Sequence, residues 1–225
     1  MKASIITRRS LILIVLLGDS ATGKSSHIKR YLTRQFKKHY VPTQGVEVHS
    51  QTFSTNKGEI IFNVWDTAGE EEFGGLRDGY CIHAECAIIM FDITSCMTYI
   101  NYPAWYADLR RVCESIPVVL CANKVDLQDR RIENKNICLP GDNNTRYFAM
   151  SPRLNYNLEK PFLWMAQKLL GDINVKFATC LLCSSASCSS SQVKMDKTWR
   201  LKLENQLEKN DEETTLPKKG GGKWE

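Results

Sequence analysis

The sequence predicts an α/β domain with helices on both faces of one six-stranded, mostly parallel sheet, and three observations carry that prediction. Short apolar runs of strand length alternate with amphipathic stretches between residues 11 and 170, the pattern of crossover units on a parallel sheet. One tight turn, Asn56-Lys57-Gly58, joins two consecutive runs, so that pair alone should be antiparallel. The first run passes directly into a Gly-, Ser- and Thr-rich segment that opens a helical stretch.

In chain order, strands are expected at 11–17, 46–55, 59–66, 86–92, 117–123 and 146–149. Amphipathic helices are expected at 24–35, 102–114 and 158–170. The domain should therefore span 10–174, preceded by a short tail over 1–9. Residues 175–194 read as a Ser/Cys-rich linker, and 195–225 as a polar tail ending in a Gly triplet. Trp199, Leu203 and Leu207 stand at helical spacing, which predicts a short docking helix over 195–213.

Composition narrows the class. With 225 residues, 43% apolar and 24% charged, the chain can build a core and is too short for a large multidomain enzyme. The nine cysteines are odd in number and several sit inside apolar runs (Cys86, Cys113, Cys121), which suits buried, reduced thiols in a cytosolic or nuclear protein. Cys180, Cys183 and Cys188 have no fourth ligand nearby and are not expected to hold zinc. A net charge of +5 without a dense Lys/Arg block gives no reason to expect direct nucleic-acid binding. The apolar run after Lys2, Arg8 and Arg9 imitates a signal peptide but ends in Gly18-Asp19 with no cleavage site. The sequence closes on Lys223-Trp224-Glu225 rather than a C-a-a-X box, so no lipid or membrane anchor is expected.

The segment Gly18-Asp19-Ser20-Ala21-Thr22-Gly23-Lys24-Ser25 fits G-x-x-x-x-G-K-[ST] between a strand and a helix. Backbone N–H groups of such a loop and the positive end of the next helix form a concave anion site. Lys24 would reach the β and γ phosphates, and Ser25 would hold Mg²⁺. An aspartate at a strand end is by itself often a cap. Behind a phosphate loop, Asp66 of Trp65-Asp66-Thr67-Ala68-Gly69 is better read as a water-mediated Mg²⁺ partner, with Gly69 offering its N–H to a γ phosphate.

The fifth strand ends in Asn123-Lys124-Val125-Asp126. A carboxylate at Asp126 accepts from guanine N1 and N2, whereas adenine would leave it unpaired; sites of this kind discriminate by roughly 10⁴–10⁵. Phe36 would cover one face of the base.

These motifs, in this order, resemble the small GTPases, and the intervening text resembles the Ran type. The likeness lies in Val46-Glu47-Val48-His49, in 62–69, in Phe73-Gly74-Gly75-Leu76-Arg77-Asp78-Gly79-Tyr80 and in Glu159-Lys160-Pro161-Phe162-Leu163-Trp164. It implies a monomeric P-loop G domain that binds GTP or GDP with Mg²⁺ and hydrolyses GTP. It also implies a nucleotide site made of Gly18 to Ser26, Phe36, Thr43, Asp66, Gly69, Asn123, Lys124, Asp126, Ser151, Pro152 and Arg153. Thr43 would join Ser25 and Asp66 at the metal, and 38–48 and 69–80 would be the switches. Lys24, Thr43, Gly69 and Glu70 would be the catalytic set, and Val46, Glu47, Glu72, Phe73 and Arg77 would meet partners.

The implied role is nucleocytoplasmic transport, in nucleus and cytoplasm. The partners are importin-β-type receptors, a chromatin-bound exchange factor, a GTPase activator and a small import factor for the GDP form. A vesicle-traffic or growth-signalling GTPase is disfavoured by the missing prenyl acceptor.

Four departures from that likeness carry expectations of their own. Glu70 stands where the family has a catalytic Gln; an ionised carboxylate accepts from water but cannot donate to the transition state, so hydrolysis should be slow. Ser20 replaces a loop glycine where an activator approaches the γ phosphate. Pro152 stands where the family offers a backbone N–H to guanine O6. Glu72 replaces a Lys that pairs with acids on the small import factor, so recycling should be weakened. In addition, 139–144 carries no basic residue and the tail no acidic terminus, so an electrostatic latch between them is not expected. The alternative to an active switch is a divergent copy that binds nucleotide or receptors but hydrolyses poorly, a near-static binding module.

Overall fold

The computed structural model describes residues 10–69, 74–132, 136–141 and 143–178. Glu70, Glu72, Phe73, Asp142, Cys180, Cys183, Cys188 and the helix expected over 195–213 lie outside the described residues, as does the tail.

Six strands form one sheet: β1 (Ser10–Leu17), β2 (Val46–Thr55), β3 (Gly58–Thr67), β4 (Cys86–Asp92), β5 (Val118–Asn123) and β6 (Thr145–Ala149). Their order is β2-β3-β1-β4-β5-β6, and only β2 and β3 are antiparallel. That agrees with the expected alternation and its single hairpin. Residues Cys86–Asp92 and Val118–Asn123 are buried along their whole length, which is why they read as unbroken apolar runs. The hairpin turns with Thr55 opposite Gly58, whose φ of 119° a side-chain-bearing residue rarely adopts.

Two apolar layers cover the sheet. One joins Ile14, Leu16, Phe62, Ile88 and Met90 to Ile28, Tyr31, Phe162 and Met165 from α1 (Lys24–Thr33) and α5 (Lys160–Leu170). The other joins Val15, Leu17, Ile89, Phe91 and Leu120 to Tyr102, Trp105 and Leu109 of α4 (Tyr102–Val112). Helices α2 (Gly74–Cys81) and α3 (Cys96–Ile100) were not expected, because α2 opens on a glycine pair and α3 is a five-residue turn without a buried residue.

Helix ends differ from expectation for local reasons. Helix α1 stops at Thr33 rather than at 35, because Arg34 turns left-handed at φ 58° and its N–H closes on the Arg30 carbonyl. Helix α4 stops at Val112, capped by the Cys113 N–H on the Leu109 carbonyl. Helix α5 begins at Lys160, since Leu158 is spent in the core and its carbonyl receives His27. The packed domain also continues past 174: Val175 is fully buried, Phe177 lies 4.5 Å from Phe53, and the Ala178 N–H donates to Ser54 at 2.7 Å. Among the described residues no helix is long and apolar enough to cross a membrane. Cys81, Cys86, Cys113 and Cys121 are buried and outside any disulfide, and burial pushes the Cys86 and Cys121 thiols up.

His27 is the buried group most exposed to acid. It has no solvent access, its Nε2 lies 3.1 Å from the Leu158 carbonyl, and Phe162 lies 5.4 Å away. Burial lowers its pKa from 6.5 to about 4, against a smaller opposing effect of the Leu158 carbonyl. The unfolded chain therefore takes up this proton before the folded one, and stability is complete above about pH 6.5 and falls towards pH 4. Between pH 7 and pH 5 the unfolding free energy should drop by about 2 kcal/mol more in the native chain than in His27→Leu, read by urea titration at both pH values. Equal drops in the two proteins would show that His27 is not the acid-sensitive group.

Candidate functional site

The site lies at the carboxyl edge of the parallel strands, where β1 hands over to the loop 18–23 and α1. The loop curls tightly because the sheet leaves it no room. A Cβ on Gly18 would sit 2.1 Å from the Met90 carbonyl oxygen, and one on Gly23 would sit 2.2 Å from Asn123 Nδ2. Ala21 takes a left-handed φ of 59°, at a cost of about 1–2 kcal/mol for an L residue. Thr22 is fully buried and its Oγ1 donates to the Asp19 carbonyl at 2.9 Å. Lys24 is nearly buried, and its Nζ donates to the carbonyls of Gly18 at 2.6 Å and Asp19 at 2.9 Å, so the ammonium is held across the mouth of the loop. Ser26 sits on the first turn of α1.

Neighbouring elements hold the loop from two sides. Asn123, at the end of β5, donates through Nδ2 to the Thr22 carbonyl at 2.7 Å. Its placement makes Asn123 a brace for the loop. Asp19 accepts from Asn101 Nδ2 at 2.8 Å and Trp105 Nε1 at 2.6 Å. Asn101 and Trp105 could not be found from the sequence because they lie more than eighty positions away, at the start of an ordinary amphipathic helix and within it.

The residues expected at the metal converge. Ser25 Oγ and Thr43 Oγ1 lie 2.6 Å apart, and Asp66 reaches the same edge from β3. Asp66 is fully buried and neither carboxylate oxygen has a hydrogen-bond partner. Burial raises its pKa, while Ser25, then Lys24, pull it the other way. The Ser25 hydroxyl is thus close enough to favour the charged form but is turned to Thr43. A buried, unsatisfied carboxylate beside two hydroxyls is a hard oxygen set, and it fits Mg²⁺. Bound there, the ion would neutralise phosphate charge, held by Ser25 and Thr43 with Asp66 behind. Glu47 and His49 bring further donor atoms within 4.8 Å of Asp66, but Glu47 is already paired with Lys29 at 3.0 Å, which holds its carboxyl below the usual range.

Residues of the two expected switches meet the loop. Gly69 presses on Ser20 so closely that a Cβ would lie 2.2 Å from the Ser20 nitrogen. The Ser20 hydroxyl lies 2.6 Å from the Tyr40 hydroxyl, a contact that a glycine at 20 could not make. Tyr40 was missed, since nothing in its flanking sequence is periodic. Gly45 accepts from the Ala68 N–H at 2.9 Å, which ties the first switch to the end of β3. Val46 is half-buried at the start of β2, and Val48 is exposed on it. Phe36 is half-buried beyond the end of α1. Arg77 falls within α2, which is joined to α4 by Arg111 and Asp78 at 2.7 Å.

The residues expected around the base lie together beyond β5 and β6. Asp126 accepts from Ser151 Oγ at 2.6 Å and from Arg153 Nη1 at 3.3 Å. Lys124 is left-handed, at φ 64°, and its Nζ donates to Asp92 at 2.6 Å. Pro152 is buried at the tip of the following turn.

A tight Gly-rich loop opening a helix, a buried unpaired aspartate beside two hydroxyls and a carboxylate just beyond β5 are the parts a nucleotide-binding switch domain requires. The chain belongs to the Ras family, whose model matches residues 13–171. It is therefore a small GTPase domain, a GTP-binding switch of a family that uses GTP, GDP and Mg²⁺.

The buried Asp66 carboxylate, with neither oxygen hydrogen-bonded, opposes folding, and a cation bound there would relieve that cost. Asp66→Asn should stabilise the nucleotide-free chain by about 1 kcal/mol in urea titration. In the same variant, adding a chelator should no longer accelerate guanine-nucleotide release. A destabilised variant that still responds to the chelator would place the metal elsewhere.

Proposed function

We propose that this chain is a Ran-type guanine-nucleotide switch. In this reading its nucleotide state selects importin-β-type transport receptors, in nucleus and cytoplasm. The observation that carries the reading is the run of Ran-like residues through both switch segments, Val46-Glu47-Val48-His49 and 73–80, flanking the Ser25, Thr43 and Asp66 cluster. Exchange would be driven by a chromatin-bound factor and hydrolysis assisted by an activator. The small import factor for the GDP form would bind more weakly, because Glu72 sets an acid against its acidic groups.

The chain's own groups supply the following. The loop amides and Lys24 bind phosphate, Ser25 and Thr43 hold the cation, and Asp126 selects guanine. Gly69 offers its N–H at the γ-phosphate position because it lies directly against Ser20. Glu70 stands next in the chain, where a water-orienting residue is needed.

A second reading, the near-static binding module, is favoured by the Ser20 to Tyr40 hydroxyl contact of 2.6 Å, which fastens the first switch to the loop, and by Glu70. Single-turnover GTP hydrolysis separates the two readings. The native chain should respond weakly to a Ran activator, and Glu70→Gln with Ser20→Gly should raise the stimulated rate by about 10³-fold or more. Full stimulation of the native chain would remove both residues as causes of impairment. Guanine selection has its own test: Asp126→Asn should shift preference from GTP towards XTP in competition binding, since the amide can accept from N1–H and donate to O2. Unchanged GTP preference would mean that Asp126 does not read the base.

A further inference from the structure

In the small-GTPase likeness, position 152 offers its backbone N–H to guanine O6; Pro152 has no N–H, and the structure places another donor, Arg153, beside it. The turn 151–156 is closed at its base by reciprocal bonds between Ser151 and Tyr156, at 3.1 and 3.0 Å, and by the Leu154 N–H on Ser151 Oγ at 3.3 Å. Residues 152 and 153 are therefore carried on a fixed loop. From it Arg153 reaches back to Asp126, with Nη1 3.3 Å from Oδ2. The Asp126 side chain is 8% exposed, while that of Arg153 is 38% exposed, so Arg153 lies on the open side of the pair.

We propose that Arg153 is a specificity-determining residue that donates to guanine O6 in place of the missing Pro152 N–H. The proposal rests on the guanine-nucleotide reading and deepens it. On the base, N1–H lies between the N2 amino group and O6. When the two base donors meet Asp126, O6 falls next to the carboxylate, on the N1 side. A carboxylate has about four lone-pair sites, so Asp126 accommodates Ser151, Arg153 and the two base donors together. The guanidinium is a planar fork with five N–H donors. Holding Asp126 with one of them leaves a neighbouring N–H directed along the same edge, where O6 would lie. A buried O6 with no donor would weaken binding by roughly tenfold to a hundredfold, and this contact offsets that loss.

The test measures dissociation constants of the full chain, stripped of nucleotide with chelator, for GDP and for 6-thio-GDP, whose sulfur is a poor acceptor. Arg153→Ala should weaken GDP by roughly tenfold to a hundredfold and 6-thio-GDP by much less. Adding Pro152→Ala to that variant restores a backbone N–H and should recover GDP binding to within a few-fold. A group that merely orients Asp126 would give equal losses for both nucleotides and no rescue. Equal losses, absent rescue, or tighter GDP binding by Arg153→Ala would each overturn the proposal while leaving the guanine reading intact. Failure of the native chain to bind GDP at all would overturn both.

Discussion

The architecture of this protein depends on how closely the backbone at the end of β1 approaches its neighbours. The loop 18–23 turns inside a space bounded by the Met90 carbonyl, the Asn123 side chain and the Gly69 backbone, and at Gly18, Gly23 and Gly69 there is no volume for a Cβ. Only such a turn aims successive amides at one point and sets the start of α1 behind them. The braces from Asn123, Asn101 and Trp105 hold this curl from strands and helices on either side. The buried strands β4 and β5 serve the same end, since they are the rigid floor from which Met90 and Asn123 project.

A buried charge imbalance follows from that geometry. Lys24 is satisfied by loop carbonyls, whereas Asp66 is enclosed with both oxygens unpaired. Such an arrangement disfavours the isolated domain and favours a bound cation, so folding stability and ligand binding draw on the same residue. His27, also on α1, is buried beside Phe162, where burial keeps its imidazole neutral near neutral pH.

Two of the departures named from the sequence, Ser20 and Pro152, lie in the loop 18–23 and in the turn beside Asp126. Ser20 adds a hydroxyl at the loop and finds Tyr40; Pro152 withdraws an amide and has Arg153 beside it. Binding surfaces on rigid scaffolds tolerate such exchange, because a polar contact can be remade from another residue within reach.

Much of the fold was legible because it depends on local pattern. Unbroken apolar runs, one Gly-containing hairpin and a strand-to-loop-to-helix junction are determined by pleat, helical period and the steric freedom of glycine, all properties of short segments. Lys24, Ser25, Asp66 and Asp126 are expected from spacing within motifs, and the structure sets them at the start of α1, near the end of β3 and just beyond β5. Helix α2 escaped notice because its glycine-rich start lacks apolar periodicity, and the ends of α1 and α5 because Arg34 and Leu158 answer to a turn and to the core. Only the tertiary structure decided that Asn123 braces the loop, that Trp105 holds Asp19, that Ser20 meets Tyr40 and that Arg153 lies on Asp126. Each joins side chains from separate segments, and a hydrogen bond depends on ångström-scale distance and direction that residue order alone does not encode.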